Sequence, residues 1–199
     1  MSRIFATMIG LIVSVSLLAS TQVLSMNTTN TLLIDDFSQR DGRATIGGQW
    51  QGFSDRVMGG LSSLRAGYAE ADGQSHLFLR GQVRLDNNGG FIQVRLPLGD
   101  RRGMDLSEWD GIRLEVRAEP GPYYLHLRTQ DTRQPWSYYR AVIAATSEWS
   151  TVDIPFTAFE ARSLRQPLNL GQVQSLGIVA YGEAFDAHIE VREIMLYRQ

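Results

Sequence analysis

The side chains best placed to do chemistry in this chain are arginines and aromatics on alternating positions. Tyr124, His126 and Arg128 fall two apart within YYLHLRT, and Trp136, Tyr138, Tyr139 and Arg140 follow in the next segment. Arg113, Glu115 and Arg117 alternate in the same way just upstream. Residues two apart on a strand share a face, so these groups are expected to form one polar face. Planar rings and guanidinium groups there could hold a sugar or a peptide by stacking and two-pronged hydrogen bonds. The plainer reading is a solvated sheet face with cross-strand ion pairs, each worth ~0.2–1 kcal/mol. The candidate binding face is Tyr124, His126, Arg128, Trp136, Tyr138 and Arg140.

A second candidate is the stretch Trp50 to Ser62, WQGFSDRVMGGLS, read as one constrained loop between strands. Trp50 supplies an apolar anchor, and Ser54-Asp55 can hydrogen-bond nearby backbone amides. Val57-Met58 form a short apolar plug. Gly59-Gly60 allow backbone angles closed to residues with a Cβ. The candidate binding loop is Trp50, Asp55, Arg56, Met58, Gly59 and Gly60, with the charged pair Asp55-Arg56 as its expected contact points.

Known catalytic arrangements are missing from the sequence. It has no cysteine, so thiol nucleophiles, thiolate metal sites and disulfides are excluded. All 19 basic residues are arginine, which excludes Schiff-base and P-loop lysine chemistry. There is no GxSxG, HExxH, GxxxxGK[ST] or strand-linked GxGxxG motif. His76, His126 and His188 fall on three separate segments. Asp35 and Asp36 are adjacent, and neighbours on a strand point to opposite faces, which disfavours a shared acid–base pair. One of them with backbone oxygens could hold a structural Ca²⁺. No catalytic residue, cofactor or metal ligand set is assigned. A net charge of -2 argues against a nucleic-acid binder.

Positioning these groups falls to a chain of short strands. Residues 1–25 read as a secretory signal peptide: Arg3, then the apolar run Met8 to Leu18, then a cleavage point after Ser25. The run is too short to span a membrane comfortably. Residues 26–30 are a polar spacer, and 31–199 are expected to form one domain. Strands are expected at Thr31–Phe37, 112–116, 123–127, Trp136–Ile143, Trp149–Phe156, Leu176–Tyr181 and His188–Tyr197. Residues 77–96 read as a hairpin closed by Asn87-Asn88-Gly89-Gly90. Asp105–Asp110 reads as a helical turn capped by Asp105, and 158–163 as a short helix or irregular turn. Many short strands with Gly and Pro punctuation predict an all-β jelly-roll sandwich.

The loop motif and its surroundings also resemble the complex I intermediate-associated protein 30 family. The matching pieces are Trp50 with Ser54-Asp55-Arg56-Val57-Met58-Gly59-Gly60-Leu61-Ser62, then Gly81 and Asn88-Gly89-Gly90-Phe91. Asp105-Leu106-Ser107, Asp110-Gly111-Ile112, Tyr124, Leu125, Leu127, Trp149, Ile154-Pro155-Phe156 and Phe159 continue the likeness in order. The resemblance implies a galactose-binding-like jelly roll without catalytic residues. Mitochondrial members are chaperones for assembling respiratory complex I, and others resemble carbohydrate-associated modules. The expected function is thus a non-catalytic exported protein, periplasmic or secreted, with an assembly or scaffold role through protein contact. The alternative is a carbohydrate-binding module at the cell envelope. An uncleaved leader would make it membrane-tethered, and a eukaryotic source would make it mitochondrial.

Overall fold

The computed structural model describes residues 31–199. The expected leader and spacer lie outside them. Twelve strands occur among the described residues: β1 (Thr31–Asp35), β2 (Gln51–Ser54), β3 (Arg65–Ala71), β4 (Gln74–Val83), β5 (Phe91–Pro97), β6 (Gly111–Ala118), β7 (Tyr123–Thr129), β8 (Tyr138–Val142), β9 (Ser150–Pro155), β10 (Glu160–Arg162), β11 (Val173–Tyr181) and β12 (Phe185–Tyr197). They form two six-stranded antiparallel sheets, as the alternation predicts. The first runs β3-β4-β12-β6-β9, with β1 also pairing β12; the second runs β10-β8-β7-β11-β5-β2. On β12, β4 pairs with Phe185–Val191, and β1 pairs farther along, where Ile194–Tyr197 lie opposite Thr31–Asp35.

The core lies between the sheets. Leu77, Leu79 and Val83 of β4, Ile112, Leu114 and Val116 of β6, and Ile189 and Val191 of β12 point inward from the first sheet. Ile92, Val94 and Leu96 of β5, Leu125 and Leu127 of β7, and Leu176, Ile178 and Ala180 of β11 meet them from the second. Period-two burial of this kind requires both sheets to present one apolar face to each other.

Several local expectations need correction. Residues 77–96 are not a hairpin: β4 belongs to the first sheet and β5 to the second. The segment between them bridges the sandwich, with Asn87 and Asn88 at φ 55° and 57° and Gly90 at φ 128°. Alternation alone could not reveal this, because both strands need an inward apolar face whether they pair or oppose. Gly81 is a close-approach point: a Cβ there would lie 1.9 Å from the Ser63 carbonyl oxygen. Residues 51–54 are an edge strand, so the stretch from Trp50 is a strand followed by a 3₁₀ turn, Asp55–Met58, and not one loop. Asp105 caps a hydrogen-bonded turn and no helix: its carboxylate accepts from the Ser107 amide (2.9 Å) and hydroxyl (2.6 Å). The 158–163 segment contains the short edge strand β10.

Candidate functional site

The alternating polar residues do not form one face. Pro120-Gly121-Pro122 carries the chain from β6 in the first sheet to β7 in the second, so Arg113, Glu115 and Arg117 lie across the sandwich from Tyr124, His126 and Arg128. On the outer surface of the first sheet, Arg113 pairs with Asp153 (2.6 Å) and Arg117 with Glu190 (2.6 Å). That surface matches the ion-paired alternative.

The outer surface of the second sheet is different. It carries an open cleft of about 380 Å³. Its floor is the outward edge of β11: Ser175, Gly177 and Val179 alternate with the core residues Leu176, Ile178 and Ala180. Register places Gly177 between His126 of β7 and Arg95 of β5. Small residues in the middle strand and bulky ones on both sides make a trough. One wall is His126 stacked on Tyr138, with ring centroids 4.1 Å apart and planes 14° from parallel. The other is Phe53, beneath the Arg95 guanidinium (4.9 Å) and edge-on to Phe91 (6.4 Å). Burial, with the nearby Arg140 and Arg128 charges, pushes His126 down to about 3, and burial pushes Tyr138 up to about 12. Both are therefore neutral across the physiological range.

Of the candidate face, His126, Arg128, Trp136 and Tyr138 line this cleft. Tyr124 and Arg140 sit beside it, with the guanidinium 4.7 Å from the ring centre. Trp136 stands on the rim and is 60% exposed. Arg128 holds that rim in place. Its guanidinium donates to the carbonyls of Thr132 (2.7 Å), Gln134 (2.9 Å) and Pro135 (2.8 Å), tying down the loop that carries Trp136. Arg128 is thus a positioning residue, with much of its donor capacity already used.

The candidate loop divides in two. Met58, 60% exposed, and Val57, 73% exposed, line one end of the cleft and are not a packed plug. Gly59 makes the turn at φ 92°. Arg56 is exposed, with Nε donating to the Ser62 carbonyl (3.2 Å). Trp50 and Asp55 point inward and present nothing to a ligand. Trp50 packs on Phe37 (5.9 Å) and donates from Nε1 to Asp35 Oδ2 (2.7 Å).

Asp55 is fully buried. Its carboxylate accepts from the Ser62 amide (3.0 Å) and hydroxyl (2.5 Å), and from the amides of Gly90 (2.6 Å) and Phe91 (3.3 Å). Burial alone pushes its carboxyl up, but these donors outweigh it and hold the group below the usual range. Gly60 and Gly89 press directly on it: a Cβ on either would fall within 2.5 Å of a carboxylate atom. The DRVMGGLS and NNGGF motifs are therefore the two halves of one latch around this carboxylate.

The Asp35-Asp36 pair is also structural. Besides Trp50, Asp35 accepts from the amides of Phe37 (3.0 Å) and Thr45 (3.3 Å), a nest of N–H donors that repels a cation. Among the described residues no cluster of three or more His, Cys, Asp or Glu side chains is placed to hold a metal ion. No helix there is long and apolar enough to cross a membrane. Sequence reasoning missed Phe53, Phe91, Arg95, Arg162 and Tyr181 in the cleft. The signal for Phe91 and Arg95 was present, since Phe91, Gln93 and Arg95 alternate with Ile92, Val94 and Leu96. The mistaken hairpin hid which surface they share.

No curated protein matches in sequence. Among solved structures, the chain is similar to the family 11 carbohydrate-binding module of a Clostridium thermocellum cellulosomal cellulase (TM-score 0.65, 18% identity), covering 84% of this chain and 94% of that one. The same family's module in complex with a β-1,3-1,4-mixed-linked tetrasaccharide aligns with TM-score 0.63 and 18% identity, over 83% and 94% of the two chains. A family 30 carbohydrate-binding module of a C. thermocellum cellulosomal cellulase gives TM-score 0.55 and 16% identity, over 74% and 90%. These likenesses establish the jelly-roll fold. The sequence pattern described as Complex I intermediate-associated protein 30 matches residues 36–191, the span that contains both halves of the Asp55 latch and nearly the whole sandwich, and the chain belongs to that family.

Proposed function

We propose that this protein is a non-catalytic saccharide-binding domain and that the cleft on the second sheet is its site. The observation that carries this reading is the trough itself: a floor of Ser175, Gly177 and Val179 between aromatic walls, with Trp136 exposed on the rim. Sugar rings offer flat C–H faces that stack on such rings, and their hydroxyls suit the flanking polar groups. The mixed-linkage tetrasaccharide held by a module of the same fold supports the reading by analogy.

The test is a glycan screen on the purified protein followed by Trp136→Ala. Trp136 is mostly exposed, so its loss is expected to leave the melting temperature nearly unchanged while weakening the bound glycan about tenfold. Binding that survives Trp136→Ala and Tyr138→Ala undiminished would remove the cleft from consideration.

Family membership favours a second reading, assembly of a protein complex. Its specific support is the exposed apolar side chains of Val57, Met58 and Trp136 at the cleft, each at least 60% exposed, since exposed apolar groups of this kind mark protein contacts. Co-purification of respiratory-complex subunits with the native protein, lost on Met58→Asp, would establish it in place of saccharide binding. Export through residues 1–25 belongs to either reading. N-terminal sequencing of the purified protein is expected to begin at Met26, and an intact Met1 would refute cleavage.

A further inference from the structure

Most arginines on the outer surface of the first sheet are paired with carboxylates, Arg65 opposite Arg80 being an exception, whereas those at the cleft of the second sheet are not. On the first sheet, Arg80, Arg113, Arg117 and Arg192 each sit within 3.6 Å of at least one carboxylate oxygen. On the second, Arg95 and Arg162 line the cleft and Arg140 borders it. Among the described residues none of these three is in an ion pair, and none donates a side-chain hydrogen bond to the protein. The cleft lining contains no Asp or Glu at all. A chain with net charge -2 therefore concentrates unneutralised positive charge in this trough. Arg128, also in the lining, adds to that charge while its donors serve the rim loop.

We infer that the ligand of this cleft is an acidic saccharide, a chain whose sugars carry carboxylate or sulfate groups that Arg95 and Arg162 engage while the rings stack on the aromatic walls. This rests on the saccharide-binding reading above. Guanidinium groups present planar paired donors that match carboxylate and sulfate oxygens. Arg95 lies on the Phe53 ring, which limits its freedom and reduces the entropy lost when an anion is bound. A neutral glucan would leave both guanidinium groups unneutralised and partly desolvated beneath it, a penalty that an acidic chain avoids. His126 and Tyr138 beside these guanidinium groups stay neutral and add no charge of their own. An acidic peptide could meet the same guanidinium groups, but it lacks the repeating flat ring faces that the His126–Tyr138 wall and Trp136 suit.

The experiment is a titration of the purified full-length protein with four probes: polygalacturonate, chondroitin sulfate, a neutral mixed-linkage β-glucan and polyglutamate. These are repeated with Arg95→Gln/Arg162→Gln and with Trp136→Ala, after thermal melts confirm that each variant is folded. The expected result is that one acidic saccharide binds at least about tenfold more tightly than the neutral glucan. That advantage should vanish in the double-arginine variant and shrink with added salt. Polygalacturonate carries carboxylates alone and chondroitin sulfate carries both groups, so comparing chondroitin sulfate with its desulfated form reads the part played by sulfate. Neutral glucan binding as tightly as either acidic chain would overturn the inference and leave the saccharide reading intact. Polyglutamate binding as tightly as the acidic saccharides, with Trp136→Ala silent, would overturn it in favour of a peptide ligand. No binding of any saccharide, acidic or neutral, would overturn both.

Discussion

Replacing Asp55 with Ala is expected to cost about 3 kcal/mol of folding free energy and to lower the melting temperature by roughly 6–12 °C. The carboxylate is fully buried and collects four donors from two loops that are distant in sequence. Alanine leaves the Ser62, Gly90 and Phe91 amides without their acceptor in a space that Gly60 and Gly89 have shaped around it. Asp55→Asn keeps the volume but turns an N–H₂ group toward N–H donors, so it is expected to recover only part of the loss. Because the group's pKa is held below its ordinary value of 3.8, its contribution is fully present above that pH. It fades as the pH falls through the lower, folded-state value. Val57, Met58 and Gly89 line the cleft beside this latch, so any ligand affinity should drop with stability. Denaturant unfolding of the variant provides the measurement, and a loss under about 1 kcal/mol would show that the latch is not structural.

Glu190→Gln is the second large effect. On the outer surface of the first sheet the Glu190 carboxylate, only 3% exposed, meets Arg80 (2.6 Å), Arg117 (2.6 Å) and His188 (2.8 Å), with His76 at 3.7 Å. Trp149 closes the group, lying 4.7 Å from the Arg117 guanidinium and 4.0 Å from that of Arg192. Burial alone would raise the Glu190 pKa, but hydrogen bonds from His188, Arg80 and Arg117 bring it from 4.5 to about 2. At ~1.4 kcal/mol per tenfold in proton affinity, that is at most about 3 kcal/mol. Arg80 and Arg117 are both more than a third exposed and can turn to water in the variant, so the expected loss at neutral pH is roughly 1–3 kcal/mol. The folded-state pKa is depressed, so this stabilisation is complete above pH 4.5 and is lost as the pH falls through about 2. Unfolding measured between pH 7 and pH 2 should show a steeper acid decline for the native protein than for Glu190→Gln. Parallel pH profiles would refute the assignment.

The strands were legible in the sequence because burial on a sheet repeats every two residues. β6, β7 and β12 announce themselves through Ile112-Leu114-Val116, Leu125-Leu127 and Ile189-Val191. The family motif was legible too, as an unusual combination of Asp55, Gly59-Gly60 and Asn88-Gly89-Gly90. Its purpose was not. Nothing in two glycine-rich segments thirty residues apart says that one carboxylate joins them, since that contact exists only once β2 and β5 lie side by side. The same limit explains Asp55 and Trp50, which in sequence look like contact residues and in the folded chain face inward.

Alternation sets which residues share a face of a strand, and so the sequence alone determined the class of fold, the inward-facing apolar positions of most strands and four residues of one wall and rim of the cleft, His126, Arg128, Trp136 and Tyr138. It did not determine which strands share a sheet. That choice depends on whether the segments after β4 and β6 turn back or cross the sandwich, and both outcomes bury the same side chains. Only the tertiary structure sent Arg113 and Arg117 to one surface, where carboxylates neutralise them. It placed Arg95 and Arg162 on the other, where no acidic group of the cleft lining does.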